Sequence, residues 1–167
     1  AARNTGILAS VGDYPYFLDS DDYISANAIE LLADAAVQKR PDFVIGNYEV
    51  TGARRWAPPL SLGTGFYEGN ALVLSTYVQG KWYVMAWNKL VSRPLVLQHK
   101  LYFQEGIVHE DDLWSFKLAC MAQSMYVVGE TTYYYSMQPD SIMRAPSMRN
   151  LECRVLVLGY IYDFIRS

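Results

Sequence analysis

Apolar and polar positions alternate along this chain in a way that predicts helices and strands in turn. Residues 3–10 read as the last turns of a helix, stopped at Gly12-Asp13. The run Tyr14-Pro15-Tyr16-Phe17-Leu18 enters Asp19-Ser20-Asp21-Asp22, as a buried strand would deliver carboxylates to its exposed end. Residues 25–40 carry Ala28, Leu31, Leu32, Ala35 and Ala36 at helical spacing, and Pro41 ends that stripe. Asp42-Phe43-Val44-Ile45-Gly46 begins a second strand. Residues 51–69 read as a loop with Pro58-Pro59 and Gly63-Thr64-Gly65. Beyond it, the pattern predicts a helix over 70–79, a strand over 83–91, a short helix capped by Ser92 with Pro94 in its first turn, and a helix over 111–124. Two strands over 125–128 and 131–137, joined at Gly129-Glu130, and an apolar helix over 151–165 complete the chain. Helix and strand alternating in this way mark an α/β layer.

A length of 167 residues suffices for one compact domain, and 51% hydrophobic against 19% charged residues excludes a disordered chain. The net charge of −3 argues against a nucleic-acid binder, and no apolar run approaches a membrane span. The opening Ala1-Ala2-Arg3-Asn4-Thr5 has neither an initiator Met nor a signal-peptide pattern, so the chain is expected to begin inside a longer protein. Cys120 and Cys153 lack a C-x-x-C spacing and read as buried free thiols of a reducing compartment.

Chemistry gathers at two acidic sites. Close carboxylates repel unless a cation or a donor-rich ligand sits between them, and hard oxygen ligands suit Mg²⁺ or Mn²⁺ held together with a phosphate. Asp19-Ser20-Asp21-Asp22 has that character, although Asp and Ser are also ordinary helix-start residues. His109-Glu110-Asp111-Asp112 opens the second long helix, where acids favour the positive helix end and where one carboxylate is placed to take a proton from a hydroxyl. Trp87-Asn88-Lys89 closes a predicted strand with an amide and an ammonium suited to phosphate or sugar hydroxyls, or simply marks a strand entering a turn. Tyr133 and Tyr135 share one strand face, with core packing as the default and sugar stacking as the other use. Ser141, Arg144, Arg149 and Arg154 form a basic stretch that reads as a solvated face, or as one that meets acidic lipid or phosphate.

Several blocks together resemble family 2 glycosyltransferases of the bacterial capsular and exopolysaccharide type. Ala2-Arg3-Asn4-Thr5-Gly6 and Phe17-Leu18-Asp19-Ser20-Asp21-Asp22 resemble its A-R-N-x-G and F-L-D-S-D-D block. Asn88-Lys89-Leu90 resembles its N-K-L segment, and Phe103-Gln104-Glu105-Gly106 with Glu110-Asp111 its F-x-E-G-x-x-x-E-D segment. Tyr133-Tyr134-Tyr135 with Ser141-Ile142 resembles its Y-Y-Y … S-I stretch.

The resemblance implies a GT-A fold, an α/β mixed sheet flanked by helices, here without its N-terminal βαβ portion. The family's P-x-Y-N strand end and D-D-x-S segment are not found. Residues 1–144 would form the metal and acceptor half of the domain, and 145–167 a C-terminal helix on it. The implied activity is inverting, metal-dependent transfer of a sugar from a nucleotide-diphosphate donor to a saccharide or lipid-linked hydroxyl, in surface polysaccharide synthesis. Asp21 would hold Mn²⁺ or Mg²⁺, and Asp19 the metal or the donor ribose. Arg3 would lie near the donor, Asp111 would be the general base with Glu110 beside it, and Trp87, Asn88 and Lys89 would line the acceptor or phosphate side. A cytoplasmic protein, peripheral at the inner membrane face, is the expected setting. The chain alone is expected to be inactive and to self-associate through an uncovered sheet edge. A nucleotidyltransferase and a non-catalytic carbohydrate-binding or assembly module are the alternatives.

Overall fold

A computed structural model describes residues 2–52, 60–137 and 148–167. Helix α1 (Ala2–Ala9) leads through an extended segment to a two-residue strand β1 (Tyr23–Ile24), helix α2 (Ala28–Lys39) and the long strand β2 (Phe43–Gly52). Then come β3 (Gly65–Glu68), α3 (Asn70–Val78), β4 (Lys89–Val91), α4 (Arg93–Gln98), α5 (Glu110–Met121), β5 (Ser124–Met137) and α6 (Met148–Arg166). The junction expected near residue 144 lies outside the described residues, as do Ser141, Ile142 and Arg144.

The five strands form one mixed sheet. β5 runs parallel to β2 along one edge, while β1 and β3 pair antiparallel with its other edge. β4 pairs antiparallel with β2. Strand β2 is buried on both faces over its first four residues, Phe43 to Gly46, as expected where a strand is enclosed by helices. Phe43 and Ile45 join the larger core with Met125, Val127, Tyr133 and the tryptophans Trp82, Trp87 and Trp114. Val44 faces the other way, onto Leu32, Ala35 and Ala36 of α2. That stripe is the one legible in the sequence. Helix α2 ends where Arg40 turns left-handed at φ 48° and returns its N–H to Ala36, just before Pro41.

Several expectations are corrected. The predicted strand over 14–18 is an extended segment with a single bridge, Tyr16 to Leu90. Its carbonyls accept the N–H groups of Asn88 and Val91, but Pro15 has no N–H to return, so no ladder forms. It nevertheless lies along β4. Helix α2 starts at Ala28 rather than residue 25, because Ser25 donates its N–H to Thr132 and prolongs the pairing of β1. The loop expected over 51–69 contains β3. The strand expected over 83–91 is only Lys89–Val91, since the preceding residues form a loop fixed by side chains.

The two strands expected around Gly129-Glu130 are one. Gly46 pairs with Val128 and Asn47 with Thr131, leaving Gly129 and Glu130 as a bulge while β2 stays paired on both sides. Helix α5 stops at Met121 because its end is caught from two directions. The Asn70 amide donates to the carbonyls of Ala119, Cys120 and Ala122, and Asp42 accepts the N–H groups of Gln123 and Ser124 at 2.6 and 3.1 Å. Both cysteines are free, Cys153 buried and Cys120 half-buried.

Polar groups also lie inside this core. Thr132 donates to Asn88 Oδ1 at 2.9 Å, Tyr16 donates to the same oxygen at 3.2 Å, and Asn88 donates to the Asn47 carbonyl at 3.1 Å. Gly46 makes room for this network, because a Cβ there would lie 2.0 Å from Thr132 Oγ1 and 3.0 Å from Asn88 Nδ2. Gly46→Ala is therefore expected to cost about 1–3 kcal/mol through overpacking. Urea unfolding against the parent checks this, and an unchanged midpoint would refute it.

Candidate active site

The site is built around Arg3. Helix α1 carries the guanidinium across to the start of α5 and to the acidic turn after the extended segment. Its Nη1 donates to Glu110 Oε1 at 2.8 Å and to Asp111 Oδ1 at 2.9 Å, and its Nη2 donates to Asp19 Oδ1 at 3.0 Å. One cation thus joins the two acidic sites, which lie about ninety residues apart in the chain. The guanidinium also lies over the Phe103 ring, 5.3 Å from its centre. Burial alone would lower the Arg3 pKa, but the charges of Asp111, Asp19 and Glu110 carry it above its ordinary value.

Asp111 is the most enclosed of the three acids, with 19% of its side chain exposed. Its Oδ2 accepts the Ala86 N–H at 3.1 Å. Burial raises its pKa, against the opposing pull of Arg3 and the Ala86 N–H. The result is a carboxylate more basic than a free aspartate, yet held in place at both oxygens.

Asn4 fixes the wall beside this cluster. Its amide donates to the Phe103 carbonyl at 2.9 Å and accepts the Phe103 N–H at 2.8 Å, which clamps the Phe103-Gln104-Glu105 loop to α1. Between α1, the acidic turn and this loop opens a cleft of about 570 Å³, lined by Arg3, Phe17, Asp19, Ser20, Glu105 and Glu110 among others.

The acidic turn divides its labour. Asp22 accepts the Tyr133 hydroxyl at 2.6 Å and the Ser136 N–H at 2.7 Å, so it fastens the turn to β5. Burial raises its pKa, against those two hydrogen bonds. Asp21 is exposed and has no side-chain partner among the described residues. Asp19 gives one oxygen to Arg3, and among the described residues its other oxygen has no side-chain partner. Mg²⁺ and Mn²⁺ are commonly held by one or two carboxylates together with substrate phosphates, so Asp21 and Asp19 suit an ion shared with a diphosphate. Among the described residues no group of three or more His, Cys, Asp or Glu side chains is arranged as a protein-only metal cage.

The sequence placed Trp87, Asn88 and Lys89 on the acceptor or phosphate side. The structure buries all three, so none presents its side chain to the cleft. Trp87 stacks on Tyr133 with ring centres 4.3 Å apart and planes 4° from parallel. Asn88, left-handed at φ 58°, serves the core network, and Lys89 donates to backbone carbonyls. The loop that precedes β4 does reach the site, through the Ala86 N–H. His109 caps α5 in a left-handed turn, with Nε2 buried and unpaired among the described residues.

The acidic turn and the first turn of α5 thus meet at one guanidinium beside a cleft, on a mixed sheet flanked by helices. Residues 1–95 match the family described as Glycosyl transferase family 2, and the chain belongs to that family. It is 30% identical over 158 residues to the uncharacterized glycosyltransferase EpsJ of Bacillus subtilis, covering 87% of this chain and 44% of EpsJ. It is 26% identical over 133 residues to the poly(ribitol-phosphate) beta-N-acetylglucosaminyltransferase TarP of Staphylococcus aureus, covering 79% of this chain and 39% of TarP. The fold superimposes on S. aureus TarS 1–349 in complex with UDP-GlcNAc with a TM-score of 0.74 at 18% identity, over 95% of this chain and 45% of TarS. That likeness bears out the expected GT-A-like mixed sheet flanked by helices. The chain spans less than half the length of these relatives.

Arg3→Met would leave Asp19, Glu110 and Asp111 facing one another without their shared cation. The loss is expected to reach about 2–3 kcal/mol at pH 7, the scale of breaking charge-assisted hydrogen bonds in a partly buried cluster. The sign with pH follows from Asp111. Its folded pKa is already raised, so its contribution to stability is full below the unfolded value of 3.8 and is lost as pH rises through the folded pKa. Without Arg3 the folded pKa climbs further, so the gap between variant and parent should widen from about pH 4 to pH 7. Thermal unfolding across that range measures it, and a gap independent of pH would contradict the charge account.

Proposed function

We propose that the protein to which this chain belongs transfers a sugar, with inversion, from a nucleotide-diphosphate donor to a hydroxyl of a saccharide or lipid-linked acceptor in surface polysaccharide synthesis. The observation that carries this reading is the Arg3 cluster, in which one guanidinium joins the enclosed Asp111 and its neighbour Glu110 on α5 to Asp19 of the acidic turn, with Arg3, Asp19 and Glu110 lining the cleft. Membership of the family and the printed activity of TarP support it.

In this reading Asp111 accepts the proton of the acceptor hydroxyl as that oxygen attacks the anomeric carbon. The bond from that carbon to the diphosphate oxygen breaks, and the nucleoside diphosphate leaves with the electron pair. Arg3 orients Asp111 between turnovers and draws its pKa down against the rise from burial. Glu110 shares the guanidinium and orients it. Asp21, with Asp19, would hold Mn²⁺ or Mg²⁺, which when bound supplies charge compensation for the departing diphosphate. The setting is a cytoplasmic one, peripheral at the inner membrane face. Leu151, Val155, Leu158 and Ile165 stand exposed on α6 and provide apolar surface for membrane contact or self-association.

Two substitutions in the full-length protein separate the roles. Asp111→Asn should lower turnover at least about 10³-fold while donor affinity measured by calorimetry stays within about 3-fold. Asp21→Asn should instead weaken donor binding in the presence of Mn²⁺ and leave metal-free binding unchanged. Near-normal turnover in Asp111→Asn would remove the base assignment. The 167-residue chain alone should bind UDP- and GDP-sugars weakly, with Mn²⁺ present, and micromolar affinity by calorimetry would overturn that expectation.

A further inference from the structure

Lys89 is the sole fully buried charged side chain among the described residues, and the cleft does not reach it. Its ammonium donates to the carbonyls of Tyr83, at 3.1 Å, and Met85, and lies 4.0 Å from the centre of the Tyr83 ring. No carboxylate forms an ion pair with it among the described residues. A buried amine of this kind is costly to maintain, and an apolar side chain at this strand position would pack without that cost.

The cost has a local return. The carbonyls that Lys89 holds flank Val84, whose own carbonyl accepts the Ser115 hydroxyl from α5. The next residue is Ala86, whose N–H meets Asp111 Oδ2 at 3.1 Å. Tyr83 fixes the far end of the loop by donating its hydroxyl to the Gly46 carbonyl at 2.8 Å. Every polar tie on this loop therefore sets where one N–H points. We propose that Lys89 is a positioning residue for Asp111, clamping the Tyr83-Val84-Met85-Ala86 loop so that its last N–H holds the reacting carboxylate in register. This rests on the reading of Asp111 as the base.

The charged groups around Asp111 set the direction of the effect. Arg3 from α1 and Glu110 from α5 face it and are untouched by a change at Lys89. The Ala86 N–H and the Lys89 charge both lower the Asp111 pKa, so losing either raises it. Lys89 itself is pushed well below the ordinary amine range by burial, against the attraction of Asp111.

The test is a double-mutant cycle on turnover in the full-length enzyme, with Lys89→Met, Asp111→Asn and the double variant. Lys89→Met should lower kcat about 10-fold or more with the donor KM within about 2-fold, as expected when alignment of one catalytic group is lost. The acid limb of its kcat–pH profile should move to higher pH by about half a unit or more. The double variant should turn over no more slowly than Asp111→Asn, because Lys89 acts only through that carboxylate. Multiplying losses in the double variant, or a lower kcat with an unmoved acid limb, would overturn the proposal and leave Lys89 a structural residue. Ser115→Ala, a milder change at the α5 side chain that ties the same loop, serves if Lys89→Met fails to accumulate: it should also raise the acid limb, and an unmoved limb counts against the clamp. An active Asp111→Asn would instead sink the base reading, whereas normal turnover in Lys89→Met beside an inactive Asp111→Asn sinks this inference alone.

Discussion

One guanidinium holds the functional end of this molecule together. Arg3 bonds Asp19, Glu110 and Asp111 within 3.0 Å, and so ties the first helix, the acidic turn and the start of α5. Without a shared cation those carboxylates would repel, and the segments that carry them would separate. Arg suits the position because its planar fork donates in two directions at once, which a lysine ammonium cannot match. The same contact draws the Asp111 pKa down against the rise that burial gives it.

Below that cluster the core carries hydrogen-bonded polar side chains. Asn88, Lys89, Ser115 and Thr132 are buried in the strands, loops and helices beneath the cleft. Each has partners, so the desolvation of each is offset by hydrogen bonds. Such networks fix one arrangement more strictly than apolar packing does, because a shifted donor is left unsatisfied. The stacked and edge-on rings of Tyr83, Trp87 and Tyr133 fill the space around them.

Regular, locally encoded elements were legible in the sequence. The stripe on α2 and the bound of α3 at Asn70 follow from periodicity, and the apolar run of β2 follows from its burial on both faces. The elements that were misjudged depend on partners distant in the chain. Residues 14–18 have strand composition but form no ladder, because Pro15 withholds a donor. Gly129-Glu130 looks like a turn between strands, yet β2 continues on both sides and absorbs the two residues as a bulge.

The site divides along the same line. The sequence by itself determined the chemistry on offer: the acidic pairs Asp19 with Asp21 and Glu110 with Asp111, the α/β class, and the family through its ordered blocks. Only the tertiary structure decided which of these groups meet. It brought Arg3 to three carboxylates, turned Asp22 into a structural tie to Tyr133 and Ser136, and withdrew Trp87, Asn88 and Lys89 from the cleft into the core. The physical reason is that residue type fixes what a side chain can donate or accept. Its burial and its partners depend on contacts across some hundred residues of sequence, and no local pattern records them.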